Sequence, residues 1–221
     1  MGSVGLGRIE SGRLAAWSTL VTVWIALDWY GRLTTSTPKN SAYSWTIAVG
    51  SVFQFAIVLG LIALIARGAW QLLALRRPRS VRSAFSGALL VLVVVNLLEA
   101  ALAPLLHPGR EQGLAPSRWE PAHAGAFAVF AFAVVVCAPV AEELVFRGLG
   151  FSLLRPFGRA PALIGPAVLW SLAHALVEGL PIFIVFGLGL SWLRERQNST
   201  VPGMILHGTF NAGALILSLT T

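Results

Sequence analysis

A succession of apolar runs, each about as long as a bilayer crossing and separated by arginine-bearing loops, constrains this chain more than any other feature. A spanning helix needs about 20 predominantly apolar residues. Runs of that kind cover roughly 14–31, 46–66, 84–106, 122–154, 161–177, 180–193 and 201–219. The fourth is overlong and interrupted and the sixth is short, so about seven helices are expected, with six to eight as the range. Backbone N–H and C=O groups in hydrocarbon must be paired within the chain, which leaves helices or closed barrels as spanning forms. The expected fold is therefore an all-α polytopic transmembrane helical bundle, a single integral membrane domain over 1–221. Composition agrees: 11% of the 221 residues are charged, against about 25% in soluble domains.

The charge balance, 16 Lys and Arg against 9 Asp and Glu, would suggest nucleic acid in a soluble protein. Here the basic residues lie between apolar runs, where topology accounts for them, so lipid and not nucleic acid is the expected surrounding. With the N-terminus cytoplasmic, the inner segments hold Arg8, Arg13, Arg67, Arg76, Arg77, Arg79, Arg82, Arg147, Arg155, Arg159, Arg194 and Arg196. Only Arg32, Lys39, Arg110 and Arg118 are left outside. Arg8 and Arg13 before an apolar run resemble the start of a signal peptide. No small-residue cleavage site follows, and Asp28-Trp29-Tyr30 reads as an interfacial edge. The Ala-, Gly- and Arg-rich composition with a single lysine points to a bacterial inner membrane. The single cysteine, Cys137, excludes an internal disulfide.

Polar side chains at bilayer depth are costly and read as functional by default. Four places qualify. Glu143 and Arg147 stand four apart, so on a helix they share a face and can neutralise each other. Glu142 is rotated about 100° from Glu143 and has no such partner. His174 follows Trp170 by one turn in an apolar helix, and His207 and Asn211 share a face of the last one. Taken singly, each has an ordinary reading as an ion pair or as interhelical hydrogen bonding. Together they need one another, because lipid would not tolerate them apart. Glu99, sharing a face with Asn96, is read mainly as helix packing, either beside Arg147 or on the chamber's far side. His107 and His123 flank a Pro- and Gly-rich loop and read as solvent-side residues.

Glu-Glu-x-x-x-Arg, aromatic-x-x-x-His and His-x-x-x-Asn, in that order on late helices, resemble the signature of the CPBP family, which includes the type II CAAX prenyl endopeptidases. The resemblance covers 142–211, within a motif-bearing core of 122–219; the first 120 residues carry no matching motif. The second motif usually begins with Phe, and Trp170 stands there instead. The resemblance implies metal-independent hydrolysis of a peptide or membrane-anchored protein substrate, with no cofactor. Glu142 and His174 would activate water, His207 and Asn211 would form the oxyanion site, and Glu143, Arg147 and Trp170 would support them. A carboxylate and a histidine can take and relay a proton, and neutral N–H donors suit a developing oxyanion.

Other readings stay open beside this one. Glu142, His174 and His207 have the chemistry of a three-ligand zinc site, although no His-Glu-x-x-His is present. Cys137 sits in an apolar run as a small hydrophobe, and Ser171 lacks the turn motif of a serine nucleophile. A non-proteolytic membrane scaffold or immunity protein could keep the same polar cluster while binding a partner in the bilayer. Geometry offers a check. With the fourth helix bending or breaking near Pro139 and running on to about Arg155, Glu142, His174, His207 and Asn211 all come to roughly 16–22 Å from one face. That predicts a polar intramembrane chamber, expected to open to the cytoplasm.

Overall fold

The computed structural model describes residues 2–35, 40–106, 116 and 118–219, with side chains from residue 11 onward. Lys39, His107, Arg110 and the side chain of Arg8 lie outside them. The described residues form seven helices and no strand: α1 (Gly2–Thr34), α2 (Trp45–Ala66), α3 (Val81–Leu102), α4 (Pro121–Phe157), α5 (Arg159–Leu172), α6 (Leu180–Gln197) and α7 (Val201–Ser218). The all-helical bundle read from the apolar runs is what forms. Four helices (α2, α3, α4 and α7) are long and apolar enough to cross a membrane, as expected of an integral membrane protein. Their outward faces are apolar: Phe53, Ile57, Phe85, Leu89 and Ile216 are all exposed, the pattern of a lipid-facing rather than a water-facing surface.

The bundle has two unlike ends. At one, Arg13 reaches from α1 to the carbonyls of Ile65 and Arg67 at the end of α2. Arg76, Arg79, Arg82, Arg155, Arg159 and Arg196 belong to the loops and helix termini of that same end. At the other, α2 and α4 begin and α7 finishes. There Tyr43 takes part in two hydrogen bonds with the 118–120 segment, and His123 pairs with Glu120 and meets the Tyr43 ring.

The long helix α4 runs on past Pro139 to Phe157, as expected of a helix continuing to about Arg155, and does so without a break. It passes through two π-helical stretches, Ala133–Cys137 and Glu143–Gly150, on either side of the short α-helical segment that carries Pro139. A proline removes one N–H and crowds the preceding turn; widening the turn accommodates it without a break. Three side chains from other helices donate to carbonyls of the widened turns. Asn211 donates to Val134 (2.9 Å), the Trp17 indole to Val145 (2.9 Å), and Arg194 to Arg147 (3.1 Å). Such supports recur where irregular helix is buried at membrane depth.

Helices α5 and α6 form the most closely packed pair. Gly187 of α6 lies so near α5 that a Cβ there would meet the Ala167 backbone at 3.1 Å. At about 21 Å for its 14 residues, α5 is too short to span the bilayer. The hairpin therefore turns back inside the bundle, through residues 173–179.

Candidate active site

That interior turn brings His174 to the site. The chain turns sharply there, with Ala175 at φ +50°, a left-handed conformation unusual for a residue with a side chain. His174 Nδ1 lies 2.9 Å from the Trp170 carbonyl. A carbonyl can only accept, so Nδ1 carries the proton and Nε2 of the neutral ring keeps its lone pair. Phe183 stacks on the imidazole with ring centroids 4.5 Å apart.

Glu142 and Glu143 are both buried, yet they face different partners. Glu143 lies against Arg147, Oε1 to NH1 at 3.0 Å, and both side chains are 0% exposed. Arg147 also donates to the Gly187 carbonyl (2.9 Å), and its guanidinium lies over the Trp170 ring at 4.9 Å. Glu142 instead accepts a 2.6 Å hydrogen bond from the Trp170 indole. The helix rotation between the two glutamates thus separates them as the spacing implied: one sits inside an ion pair, the other at a cavity wall.

His207 lies between them, with Nδ1 3.4 Å from Glu143 Oε1 and Nε2 3.8 Å from Glu142 Oε2. α7 comes this close because it carries small residues where it crosses α4. A Cβ at Gly203 would stand 2.6 Å from Glu143 Oε2, and one at Gly208 would stand 2.7 Å from the Val135 carbonyl. Glu143 Oε2 and Arg147 Nε are buried with no hydrogen-bond partner among the described residues.

Glu142, His174, His207 and Asn211 all border one cavity of about 310 Å³. The polar chamber expected from depth alone is present, and the four candidates are brought together. His174 makes no direct ion pair with Glu142; Trp170 links them, through its indole to one and its carbonyl to the other. Asn211 is partly engaged through its bond to Val134. Trp170 is thus more than an aromatic spacer, since a phenylalanine could not make the bond to Glu142.

Several expectations need correction. The cavity runs from Glu142 along Ala138, Val134 and Phe130 toward Ile47 and Leu215, the end of the bundle without the arginine cluster. The opposite side is filled by the buried Glu143–Gly150 stretch together with Phe186, Leu190 and Leu193. A cytoplasmic N-terminus and a chamber opening to the cytoplasm therefore do not go together, because the short hairpin packs the arginine-bearing half. Glu99 is exposed near the end of α3, neither beside Arg147 nor on the cavity wall. Asp28 and Trp29 are only half-buried and do more than mark an interface: the Trp29 indole donates to the Leu172 carbonyl (2.9 Å), and Asp28 accepts from Trp24 within electrostatic reach of Glu142. Sequence reading also passed over Ser51 and Gln54 of α2, which border the cavity; two polar residues three apart in an apolar helix were the available signal. His123, pairing with Glu120, is solvent-side as expected. Cys137 is a free thiol off the cavity wall, and Ser171 donates to the Ala167 carbonyl. Among the described residues, no three His, Cys, Asp or Glu side chains gather in an arrangement that could hold a metal ion.

Comparison with known proteins gives a family match. No curated protein and no solved structure matches. Residues 124–213, less than half of the chain but including every motif residue above, match the family described as type II CAAX prenyl endopeptidase Rce1-like. Over that stretch, which carries Glu142, His174, His207 and Asn211, the chain is similar to the CAAX protease family, in agreement with its motifs.

Proposed function

We propose that this protein is an intramembrane endopeptidase in which Glu142 and His174 activate a water molecule for attack on a peptide bond. The observation carrying the proposal is the shared cavity: four polar residues from α4, the α5–α6 turn and α7 border one 310 Å³ space whose remaining wall is mainly aromatic and aliphatic, with Ser51 and Gln54 of α2 as the other polar groups. A water in that space has Glu142 as proton acceptor and the unprotonated Nε2 of His174 as a second base. General-base action of this kind contributes typically 10²–10⁴-fold. The tetrahedral oxyanion would then form near His207 and Asn211, both able to donate N–H groups. Glu143 and Arg147 act as positioning residues, holding α4 against α6 and setting His207 between the two carboxylates.

The substrate on this reading is a peptide or membrane-anchored protein, and the reaction needs no metal. The orientation we propose keeps the arginine-bearing end and the N-terminus cytoplasmic, in a bacterial inner membrane, with the cavity directed to the opposite side. The rival reading, a scaffold or immunity protein that binds without cleaving, keeps the same cluster and predicts no turnover. Purified protein in lipid nanodiscs, given a library of quenched-fluorescence peptides with and without a metal chelator, decides between them. Chelator-insensitive cleavage that His174→Ala reduces by about 100-fold or more supports the proposal. Cleavage lost to the chelator and restored by zinc would replace it with the metal reading, and no cleavage by correctly folded protein would favour the scaffold.

A further inference from the structure

α2 is a 22-residue apolar helix, and past its first turn its polar side chains are Ser51 and Gln54. Three apart, they share a face, and both border the cavity that holds Glu142 and His174. Gln54 is exposed and makes no hydrogen bond to any described residue. A primary amide has two N–H donors and a carbonyl with two lone pairs, and leaving them unpaired in an apolar setting is costly. Helices α2 and α7 both pack on α4, but neither packs closely on the other. Gln54 and Ala214, both exposed, therefore line the cavity from opposite flanks.

We propose that Gln54, with Ser51 beside it, binds the backbone of the substrate, and that the substrate enters between α2 and α7 as an extended segment of peptide chain. This rests on the proteolytic reading and specifies it. One side-chain amide matches one peptide unit, with a donor for its C=O and an acceptor for its N–H. A helical segment pairs those groups within itself and has no use for such a partner, whereas an unwound segment in an apolar cleft needs one. The rings of Phe55, Phe130, Phe186 and Phe210 leave apolar space for the side chains that alternate along an extended strand.

Two measurements test this in nanodiscs. In a Cys137→Ser background, Gln54→Cys and the adjacent, exposed Phe53→Cys are treated with a positively charged methanethiosulfonate reagent, which reacts with thiols in contact with water. Phe53 lies off the cavity wall, so the thiol of Gln54→Cys should be modified and that of Phe53→Cys spared. On a cleaved quenched-fluorescence peptide, Gln54→Leu should raise KM by about 5–10-fold with kcat within threefold, the loss of a neutral hydrogen bond used in binding. Equal sparing of both thiols, or a fall in kcat at constant KM, overturns the assignment. Labelling does not depend on catalysis: active enzyme in which the Gln54→Cys thiol stays silent removes this proposal alone. If that thiol reacts and no peptide is cleaved, the proteolytic reading falls and takes this proposal with it.

Discussion

Removing Arg147 while leaving Glu143 in place should be among the most damaging single substitutions in the molecule. Both side chains are wholly buried, and Glu143 Oε1 has the 3.0 Å contact to Arg147 and a 3.4 Å contact to His207, while Oε2 has no described partner. Arg147→Met retains much of the side-chain volume but strands the carboxylate, at a cost of about 3–5 kcal/mol for a buried charge left unpaired. Glu143→Gln strands the guanidinium in the same way, though its Gly187 bond and the Trp170 ring retain part of its environment. The double substitution removes both charges, leaving mainly the Gly187 carbonyl without its donor, at about 1–3 kcal/mol. The two single effects should therefore sum to roughly 3 kcal/mol or more above the cost of the double substitution. Reversible unfolding in mixed micelles, read by intrinsic tryptophan fluorescence, measures each term. Additivity within about 0.5 kcal/mol, or a loss in Arg147→Met well below the cost of an unpaired buried charge, would refute the claim that this pair is a closed electrostatic unit.

Other outcomes follow from the same geometry. Trp170→Phe deletes the 2.6 Å donor to Glu142 and should cost about 1–3 kcal/mol of stability, while cleavage stays within about tenfold because both bases remain; unchanged stability would mean that the indole bond is not formed. Asn211→Ala should lower kcat by about 100–1,000-fold if it serves the oxyanion, with a loss of only about 1 kcal/mol in unfolding from its bond to Val134. Near the membrane surface, Arg159 donates hydrogen bonds to Glu195 and holds its carboxyl below the usual carboxylate range. A depressed carboxylate contributes stability above its unfolded value of about 4.3 and loses it as pH falls through the folded value. The small penalty of Glu195→Gln should therefore be present at neutral pH and shrink as the pH is lowered below about 4.3, as followed by thermal unfolding across that range.

The bundle was legible because lipid imposes length and apolarity on each crossing, and the apolar runs of α2, α3, α4 and α7 report both directly. The site was legible through spacing: Glu143 and Arg147 stand four positions apart, as do His207 and Asn211, and each pair sets one face. What spacing left out was the third dimension. Nothing local shows that α5 ends at Leu172 and turns inside the bundle, since its apolar run continues to Val177 in the sequence. That single fact reverses the direction in which the cavity extends. Pro139 suggested a kink, but the widened turns around it depend on donors from Trp17, Arg194 and Asn211, which are distant in the chain. Gln54 was overlooked because one amide in an apolar helix carries no motif; its meaning comes from the cavity beside it.

Catalysis as proposed rests above all on Glu142 being the base that activates water. The direct measurement compares wild type with Glu142→Gln, which keeps an acceptor for the Trp170 indole, on one cleaved peptide in nanodiscs, with unfolding followed in parallel. The expected result is a fall in kcat of about 10²–10⁴-fold with unfolding shifted by less than about 1 kcal/mol. Cleavage by Glu142→Gln within tenfold of wild type would contradict it.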